Sequence, residues 1–464
     1  MERMEACHNL RDFLARLDGT GELHTVAVPV DPVLEIAAIT DRVCKNPELN
    51  RGLLFTSVAG SRYRVATNLF GSERRLAMAF GLERLADLTP RFDALLAEQG
   101  GRGSMARLGA LAGSSRWRDA GPVADSPPAG LVERPVDLGA LPVLKSAPAD
   151  GAPDHEGRFM TLPLVITAAP DGSNVNCGMY RCAVTGPARL SIAWNSASGG
   201  GRHAALWQKG LKPMPVTIAL GGAPLLTFAA TLPLPDMLDE FSFAGLLAGE
   251  PLRLFRCANG LPAPVDAEAV IEGYLHPEDL AGCGAFGNHS GYYTPSAATA
   301  TLRVTSLRLR GDMIYPATVV GRPPMEDCWL AAGWGRLLLS LVKLDLPEVT
   351  ELHHPFAGIF HGGVILAVRD VNGRGMELIR RIRALPWFGR SRLLVLVDGE
   401  QDPSDEAGVC WRIMNNVAWG DDLLVAGDTL SVDATRKSRE RRQPVVADGD
   451  VAALVEKRWR EYGF

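Results

Sequence analysis

The chain has 464 residues, of which 47% are hydrophobic and 22% are charged, and its formal net charge is −5. A single hydrophobic core rarely grows beyond roughly 250–300 residues, so we expect two or three domains. The two signs of charge are interspersed and no apolar run approaches the ~18–20 residues of a membrane span, which argues against nucleic-acid and membrane partners.

The cysteines and the first residues bear on the compartment. Eight cysteines are scattered along the chain with no Cys-x-x-Cys pair, a pattern typical of reduced thiols rather than of a disulfide framework or a structural zinc site. The first residues lack the basic-then-apolar order of a signal peptide. We therefore expect a cytoplasmic protein.

The N-terminal part alternates between helical and strand patterns. The predicted elements are a helix over 10–17, a strand over 23–30, a helix that restarts after Asp31-Pro32 and a strand over 53–55. These patterns predict an α/β lobe. The stretch 100–128 is rich in Gly, Ser, Arg and Pro with weak periodicity, so we expect a loop-rich passage there.

The middle of the chain is rich in strand patterns. The predicted strands lie at 162–168, 190–194, 216–220, 252–256, 270–275 and 302–309, and the last of these alternates apolar and polar residues. A short helix with an acidic first turn is predicted over 236–247. Together these patterns favour an antiparallel sheet or a split barrel.

The last part begins with a long apolar-periodic helix over 325–344, directly after Pro323-Pro324. Strand patterns at 363–368 and 393–397 then indicate a smaller α/β domain. No Gly-x-Gly-x-x-Gly segment joins a strand pattern to a helix pattern, since the one match, at 282–287, is not followed by a predicted helix, so a Rossmann dinucleotide site is not supported.

Two short segments and three further residues carry groups suited to chemistry. Arg181 follows Asn176 between two predicted strands, and Arg is the side chain best suited to binding a carboxylate or phosphate through two parallel bonds. The alternative is an ordinary surface or structural arginine. The glycine-dense segment 282–293 holds Cys283, Asn288 and His289, and its alternative is a tight loop that buries Cys283 as a small hydrophobe.

The three further residues are one glutamate and two histidines. Glu240 lies near a predicted helix start, where it could cap the helix, bind a hard cation or remain solvated. His203 and His361 are candidates for anion contacts or proton transfer, although most of the nine histidines are expected to be structural.

These residues form part of a set of motifs whose order and spacing resemble the UbiD family, the prenylated-flavin-dependent carboxylases and decarboxylases of unsaturated and aromatic acids. The resemblance spans nearly the whole chain. Its motifs are Leu10-Arg-Asp-Phe-Leu, Pro29-Val-Asp-Pro, Asn68-Leu-Phe-Gly, Gly157-Arg-Phe-Met-Thr, Asn176-Cys-Gly-Met-Tyr-Arg181, Glu240-Phe-Ser-Phe-Ala-Gly245, Phe286-Gly287 with Gly291-Tyr-Tyr, Pro324-Met-Glu-Asp327 and Val432-Asp-Ala-Thr435.

The resemblance implies an α+β fold of the UbiD type. The expected parts are an α/β N-terminal portion over 1–125, a split-barrel flavin-binding domain over 126–322, a linker helix over 323–345 and a C-terminal α/β domain over 346–464. It further implies that the C-terminal domain assembles the chain into a homodimer or homohexamer.

The resemblance also implies a cofactor site. Asn176 and Glu240 correspond to two ligands of the Mn²⁺ or Mg²⁺ ion that holds the phosphate of prenylated FMN, and oxygen donors suit such an ion. Arg181 corresponds to the arginine that orients the substrate carboxylate, and His203 matches a family histidine that follows an arginine. Asn176, Arg181, Glu240 and His203 are thus the expected cofactor-binding residues.

Three positions depart from the family pattern. The third metal ligand of the family is a histidine, and its position falls on Gly199, which has no side chain to donate. The two catalytic glutamates fall on Cys283 and Asn288. The family protonates the product carbon with the second of these carboxylic acids, and an Asn cannot exchange a proton, so Cys283, His289 or water would have to supply it.

Three hypotheses follow for the function. The first is an active UbiD-like decarboxylase or carboxylase in which Arg181 binds the carboxylate and Cys283 or His289 supplies the proton. The second is a repurposed enzyme that no longer uses prenylated flavin, with Cys283 as nucleophile or acid and Asn288 as a hydrogen-bond donor to a developing oxyanion. The third is a non-catalytic partner that binds a carboxylated ligand within a mixed oligomer.

Overall fold

The computed structural model describes residues 5–295, 298–360, 362–369, 371, 373–389, 391–437, 445 and 447–463. His361, one of the candidate histidines, lies outside these residues. The chain folds as predicted into an α+β structure with an α/β N-terminal portion, a curled half-barrel sheet, a long connecting helix and a C-terminal α/β domain. Among the described residues, no helix is both long and apolar enough to cross a membrane.

The elements are numbered along the chain in three groups. The N-terminal group is α1 (Leu10–Gly19), β1 (Leu23–Val26), α2 (Glu35–Cys44), β2 (Gly52–Phe55), β3 (Arg64–Thr67), α3 (Glu73–Ala79), α4 (Leu88–Ala97), α5 (Ser104–Ala112), α6 (Ser115–Ala120) and β4 (Val123–Asp125). The middle group is β5 (Leu131–Arg134), β6 (Phe159–Met160), β7 (Pro163–Ala168), β8 (Val175–Met179), β9 (Arg181–Gly186), β10 (Arg189–Ala193), α7 (Gly199–Lys209), β11 (Met214–Gly221), α8 (Pro224–Ala229), α9 (Glu240–Ala248), β12 (Arg253–Arg256), β13 (Pro262–Pro264), β14 (Ala267–Gly282), β15 (Phe286–Gly287), β16 (Tyr293–Thr294), β17 (Ala298–Arg310) and β18 (Ile314–Ala317). The last group is α10 (Glu326–Asp345), β19 (Val349–His353), β20 (Gly363–Val368), α11 (Gly375–Arg383), β21 (Leu393–Asp398), α12 (Glu406–Asn416), β22 (Leu423–Ala426), β23 (Thr429–Asp433) and α13 (Gly449–Lys457).

The central feature is a nine-stranded sheet in the order β6-β9-β10-β17-β14-β11-β7-β8, with β5 paired to β17. The strand β8 forms one end of this order and β9 lies next to the other end, yet Tyr180 alone separates them along the chain. Because consecutive Cα atoms are about 3.8 Å apart, the two ends of the sheet must lie side by side. The sheet is therefore curled, and a seam runs between β8 and β9.

Strand pairing crosses the segment limits expected from the sequence. The strand β18 pairs in parallel with β3 and completes a four-stranded sheet with β1 and β2. The strand β4 pairs in parallel with β12 in a three-stranded sheet. The C-terminal domain is simpler, with a five-stranded sheet in the order β19-β20-β21-β23-β22.

The prediction of a loop-rich passage over 100–128 is wrong, because the segment contains α5, α6 and β4. Leu108 and Leu111 of α5 are buried, and the backbone N–H of Ser104 donates to the carboxylate of Asp345 in α10. Ser114 caps α6 by accepting from Trp117 N–H. Contacts with distant elements and one capping serine therefore stabilise helices whose own apolar pattern is short.

Two predicted boundaries also shift. The strand β1 ends at Val26, four residues earlier than predicted, and Val30 forms only an isolated bridge with Val58. The helix predicted from position 236 begins at Glu240, because the Asp239 carboxylate accepts from Ser242 N–H and caps the first turn. This later start places Glu240 at the N-terminus of α9.

Candidate active site

A cavity of about 590 Å³ opens at the seam of the curled sheet. Its wall combines the strand β8, Tyr180, the first turns of α7 and the segment that leads into α9. Of the predicted site residues, the cavity is lined by Asn176, Gly199, His203 and Glu240. The structure thus brings together four positions that are spread over 65 residues of sequence.

Asn176 projects from β8 against the start of α7. Its carboxamide lies 3.4 Å from the hydroxyl of Tyr180, which in turn accepts from the backbone N–H of Gly200 at 3.1 Å. A Cβ at Gly199 would lie 1.9 Å from Asn176 Oδ1, closer than any real contact. The carboxamide therefore occupies the space that a side chain at position 199 would need.

Glu240 points from the N-terminus of α9 toward the same strand. Its Oε2 accepts from the backbone N–H of Cys177 at 2.9 Å. Burial raises the pKa of the Glu240 carboxyl to about 7, against the lowering effect of this hydrogen bond. The site therefore holds a carboxylate whose negative charge is poorly compensated by the protein.

His203 is buried one turn into α7. Its Nδ1 lies 2.9 Å from Thr167 Oγ1, and burial lowers the pKa of the imidazole, so the neutral ring is favoured. The neighbouring Arg202 pairs with Asp236 at the exposed rim of the cavity.

Arg181 begins β9 on the other side of the seam and does not line this cavity. Its guanidinium carbon lies 3.8 Å from the centroid of the Phe286 ring, a cation–π contact. Among the described residues, its buried Nε has no hydrogen-bond partner. Burial lowers the pKa of the guanidinium, and the nearby Cys283 and Asp150 counteract that effect. The side chain is held on an aromatic face with a donor left unsatisfied.

The predicted catalytic loop follows the long strand β14. Cys283 is buried with Phe286, Phe159 and Ala183 in a small apolar cluster beside Arg181. Cys283 is therefore buried among apolar side chains, as the alternative interpretation expected. It also lies next to Arg181, so it remains a candidate site residue.

Asn288 and His289 make contacts outside the apolar cluster that surrounds Cys283. Asn288 Nδ2 donates to Thr294 Oγ1 at 3.0 Å, and its Oδ1 accepts from the backbone N–H of His289 at 2.9 Å. His289 Nδ1 lies 3.4 Å from Asp327 Oδ2, and the His289 side chain is 36% exposed. Asn288 is thus engaged within its own loop, and His289 has access to solvent.

The cavity residues fit a hard divalent cation that shares its coordination with a phosphate. Mg²⁺ is usually bound through one or two protein oxygen ligands together with phosphate oxygens and water. Asn176 and Glu240 supply two oxygen donors in one cavity, and the poorly compensated charge of Glu240 is one that a cation would neutralise. Within the part of the chain that the structure describes, there is no group of three His, Cys, Asp or Glu residues suited to a metal ion. A cation here would depend on non-protein ligands.

Two residues with clear roles escaped the sequence analysis. Tyr180 bonds to Asn176 and to the start of α7, and its ring packs edge-on against Trp194 with centroids 5.8 Å apart. Phe286 supports Arg181. Both lie inside the motifs quoted for the family resemblance, but nothing in the local pattern distinguishes their aromatic rings from ordinary core residues.

Comparison with known protein families covers most of the chain. The N-terminal, Rift-related and C-terminal domain descriptions of 3-octaprenyl-4-hydroxybenzoate carboxy-lyase match residues 14–95, 123–323 and 328–447. An uncharacterized protein of Aquifex aeolicus is 33% identical over 98% of both chains, and one of Archaeoglobus fulgidus is 31% identical over 98% of both.

Solved structures share the fold. The UbiD-class enzyme HmfF from Pelotomaculum thermopropionicum, in an evolved dimeric form in complex with prFMN, has a TM-score of 0.78 at 24% identity over 94% of this chain and 97% of that one. The open form of vanillic acid decarboxylase from Sedimentibacter hydroxybenzoicus has a TM-score of 0.79 at 22% identity over 99% of both chains. With all three domain matches in chain order and full-length relatives above 30% identity, the chain belongs to the UbiD family.

Proposed function

We propose that this protein is a carboxy-lyase that decarboxylates, or in reverse carboxylates, an unsaturated or aromatic acid. The observation that carries the proposal is the state of Arg181, a partly desolvated guanidinium on the Phe286 ring with an unsatisfied Nε. A partly desolvated cation with a buried, unsatisfied donor is costly, and a substrate carboxylate would relieve that cost.

Aromatic and unsaturated acids suit these surroundings. The apolar cluster of Phe159, Cys283 and Phe286 offers contact for a flat apolar body, while Arg181 binds its carboxylate. The structural relatives include decarboxylases of vanillic acid and of 3,4-dihydroxybenzoic acid. We propose an aromatic or unsaturated acid as the substrate class and name no individual acid.

Prenylated FMN with Mn²⁺ or Mg²⁺ is the proposed cofactor, held at the 590 Å³ cavity by Asn176, Glu240 and His203. When bound, it supplies an electron sink for the carbon that loses CO₂. Asn176 and Glu240 would hold the cation, and Tyr180 fixes the Asn176 carboxamide. Arg181 lies across the seam from this cavity and belongs to the substrate side.

Cys283 is the proposed proton donor. Asn288 cannot exchange a proton, and one of its amide hydrogens is bound to Thr294. Cys283 lies beside Arg181, so its S–H is near the carbon left after decarboxylation of a bound acid. His289, next to Asp327 and partly exposed, can return a proton from solvent.

The proposed setting is a homo-oligomer in the cytoplasm. None of the eight cysteines lies in a disulfide, as suits a reducing compartment. The proposed oligomer is a dimer or hexamer assembled through the C-terminal domain, where Trp411, Met414 and Val425 are exposed.

A repurposed enzyme without prenylated flavin is the second candidate. It is favoured by the packing at Gly199, where the Asn176 carboxamide fills the space of a third protein ligand. The third hypothesis, a non-catalytic partner subunit, has no specific observation in its favour.

The test is co-expression with a flavin prenyltransferase, followed by native mass spectrometry and a CO₂-release assay on a panel of aromatic and unsaturated acids. We expect bound prenylated FMN and turnover of at least one acid, with Cys283→Ala reducing turnover at least tenfold and His289→Gln less. A flavin-free protein that transforms acids would favour the repurposed enzyme, and a flavin-free protein without turnover would overturn both.

A further inference from the structure

Asp150 is a buried carboxylate that lies beside the candidate catalytic loop. It is 4% exposed and sits in the segment that precedes β6. Its Oδ1 accepts from the backbone N–H of Gly287 at 2.7 Å, and its Oδ2 accepts from the backbone N–H of Ala147 at 2.8 Å. One side chain therefore joins two loops that are more than 130 residues apart in sequence.

Backbone contacts reinforce the same junction. Gly151 and Ala285 exchange two backbone hydrogen bonds of 2.8 Å each, as an isolated antiparallel bridge. The backbone N–H of Ala149 donates to the hydroxyl of Tyr293 at 3.0 Å. These contacts flank the Asp150–Gly287 bond on both sides, so the carboxylate lies at the centre of the junction.

A short series of contacts leads from Asp150 to Arg181. Gly287 follows Phe286 directly in β15, and the Phe286 ring supports the Arg181 guanidinium at 3.8 Å. Phe286 also packs edge-on against Phe159, with centroids 4.9 Å apart. A shift of Gly287 would move the ring on which the guanidinium rests.

The carboxylate cannot be replaced by its neutral isostere at this place. Both oxygens accept from backbone N–H groups, so an amide would direct its NH₂ against one of these donors. Burial raises the pKa of Asp150, and these N–H donors oppose that rise by stabilising the ionised form. The charge also favours the nearby Arg181 guanidinium.

We propose that Asp150 is a positioning residue that fixes the 283–288 loop and, through Phe286, the Arg181 guanidinium for carboxylate binding. The second half of this inference rests on the proposed function of Arg181. The first half concerns the loop alone and is tested without any substrate.

The loop is tested by alkylation with iodoacetamide, resolved by cysteine with mass spectrometry, on protein co-expressed with the flavin prenyltransferase. Asp150→Asn should raise the rate at buried Cys283 at least tenfold. Cys177 and Cys182, buried in the curled sheet, report global unfolding, and exposed Cys410 reports reagent activity. Asp154→Asn, an exposed change of equal charge in the same segment, should leave the Cys283 rate within twofold.

A second variant reaches the junction from the other side. A Cβ at Gly287 would lie 2.8 Å from the Cβ of Ala147, so Gly287→Ala should also raise the Cys283 rate. If Asp150→Asn folds poorly, this variant still tests whether the junction fixes the 283–288 loop. A Cys283 rate within twofold of the native rate in both variants, or a parallel rise at Cys177 and Cys182, would overturn the inference about the loop.

The guanidinium is tested with benzoate and its neutral isostere benzamide. Asp150→Asn should weaken benzoate binding at least fivefold and change benzamide binding less than twofold, because only the carboxylate requires an aligned arginine. Equal loss of both ligands would overturn the link to Arg181. Absence of benzoate binding in the native protein would instead count against the proposed function, while the alkylation result would still decide the role of Asp150 in the loop.

Discussion

Two charged side chains at the seam, Glu240 and Arg181, are partly removed from water. Glu240 faces the cavity with its pKa raised to about 7 by burial, and Arg181 rests on Phe286 with its pKa lowered by burial. Folded proteins rarely bury charges without partners, because desolvation costs more than weak hydrogen bonds return. A cation near Glu240 and a carboxylate near Arg181 would each remove such a cost.

At the residue scale, Glu240→Gln should weaken Mn²⁺ binding at least tenfold, because it removes the anionic oxygen donor. Native binding should strengthen as the pH rises toward about 7, since the ionised carboxylate is the ligand. Titration calorimetry with Mn²⁺ and inorganic phosphate measures both effects. Asp236→Asn on the exposed rim is the matched control, and an equal loss in both variants would contradict the assignment.

The sequence predicts some site residues and misses others for a physical reason. The family resemblance predicts Asn176, Glu240 and His203 as cofactor-binding residues, and all three line one cavity. Tyr180 and Asp150 act through contacts that exist only once the sheet is curled. No local sequence pattern reveals such contacts, so in the sequence alone neither residue can be distinguished from ordinary structural residues.

At the element scale, the start of α7 depends on the absence of side chains. A Cβ at Gly199 would overlap the Asn176 carboxamide. Gly199→Ala should therefore lower the free energy of unfolding by about 1–3 kcal/mol, the usual cost of overpacking, and should weaken cofactor retention. Gly109→Ala in α5 is the control, since a Cβ there meets nothing within 4 Å. It should stabilise by about 0.5–1 kcal/mol, and chemical denaturation that ranks the two variants the other way would refute this packing.

The contact between α10 and His354, the residue that follows β19, should give the protein an acid-sensitive stability. His354 is buried beside Gly335 of α10, its Nδ1 lies 2.9 Å from the carbonyl oxygen of Gly363, and burial lowers its pKa to about 4. Between pH 6.5 and 4 the unfolded chain takes up a proton that the folded chain refuses, so stability falls as the pH falls. Thermal melts should show a steeper loss for the native protein than for His354→Asn, and parallel pH profiles would rule this out.

Elements with a strong intrinsic pattern lie where the sequence predicts them. The helix predicted over 325–344 is α10, displaced by one residue, and the strand predicted over 363–368 is β20. The missed helices α5 and α6 are short and depend on Asp345 and on the Ser114 cap. Tertiary contacts determine whether such short segments form helices, and the periodicity of the sequence does not reveal these contacts.

At the scale of the whole molecule, the C-terminal domain exposes apolar surface that a solitary chain would not need. Four apolar residues are each more than half exposed: Trp411 and Met414 of α12, Trp419 in the turn after it, and Val425 of the edge strand β22. The helix α13 has no buried residue, and isolated helices of this length are marginal in water. Exposed apolar patches beside an edge strand are typical of interfaces.

The proposed homo-oligomer should therefore depend on this surface. Trp411→Glu combined with Met414→Glu should lower the assembly state of the native protein, measured by size-exclusion chromatography with light scattering at micromolar concentration. Leu211→Glu, a change at an exposed leucine outside this domain, should leave assembly intact. A native protein that is monomeric at this concentration would contradict the proposal.

Carboxylate exchange tests the central claim most directly, because it requires Arg181 to bind a carboxylate and the site to break and remake its bond to carbon. Protein co-expressed with the flavin prenyltransferase is incubated with ¹³C-bicarbonate and a panel of aromatic and unsaturated acids, and label in the recovered acids is measured by mass spectrometry. We expect label in at least one acid with the native protein and at least a hundredfold less with Arg181→Ala. Label that persists undiminished in Arg181→Ala, or native protein that retains flavin yet labels none of the acids, would contradict the account.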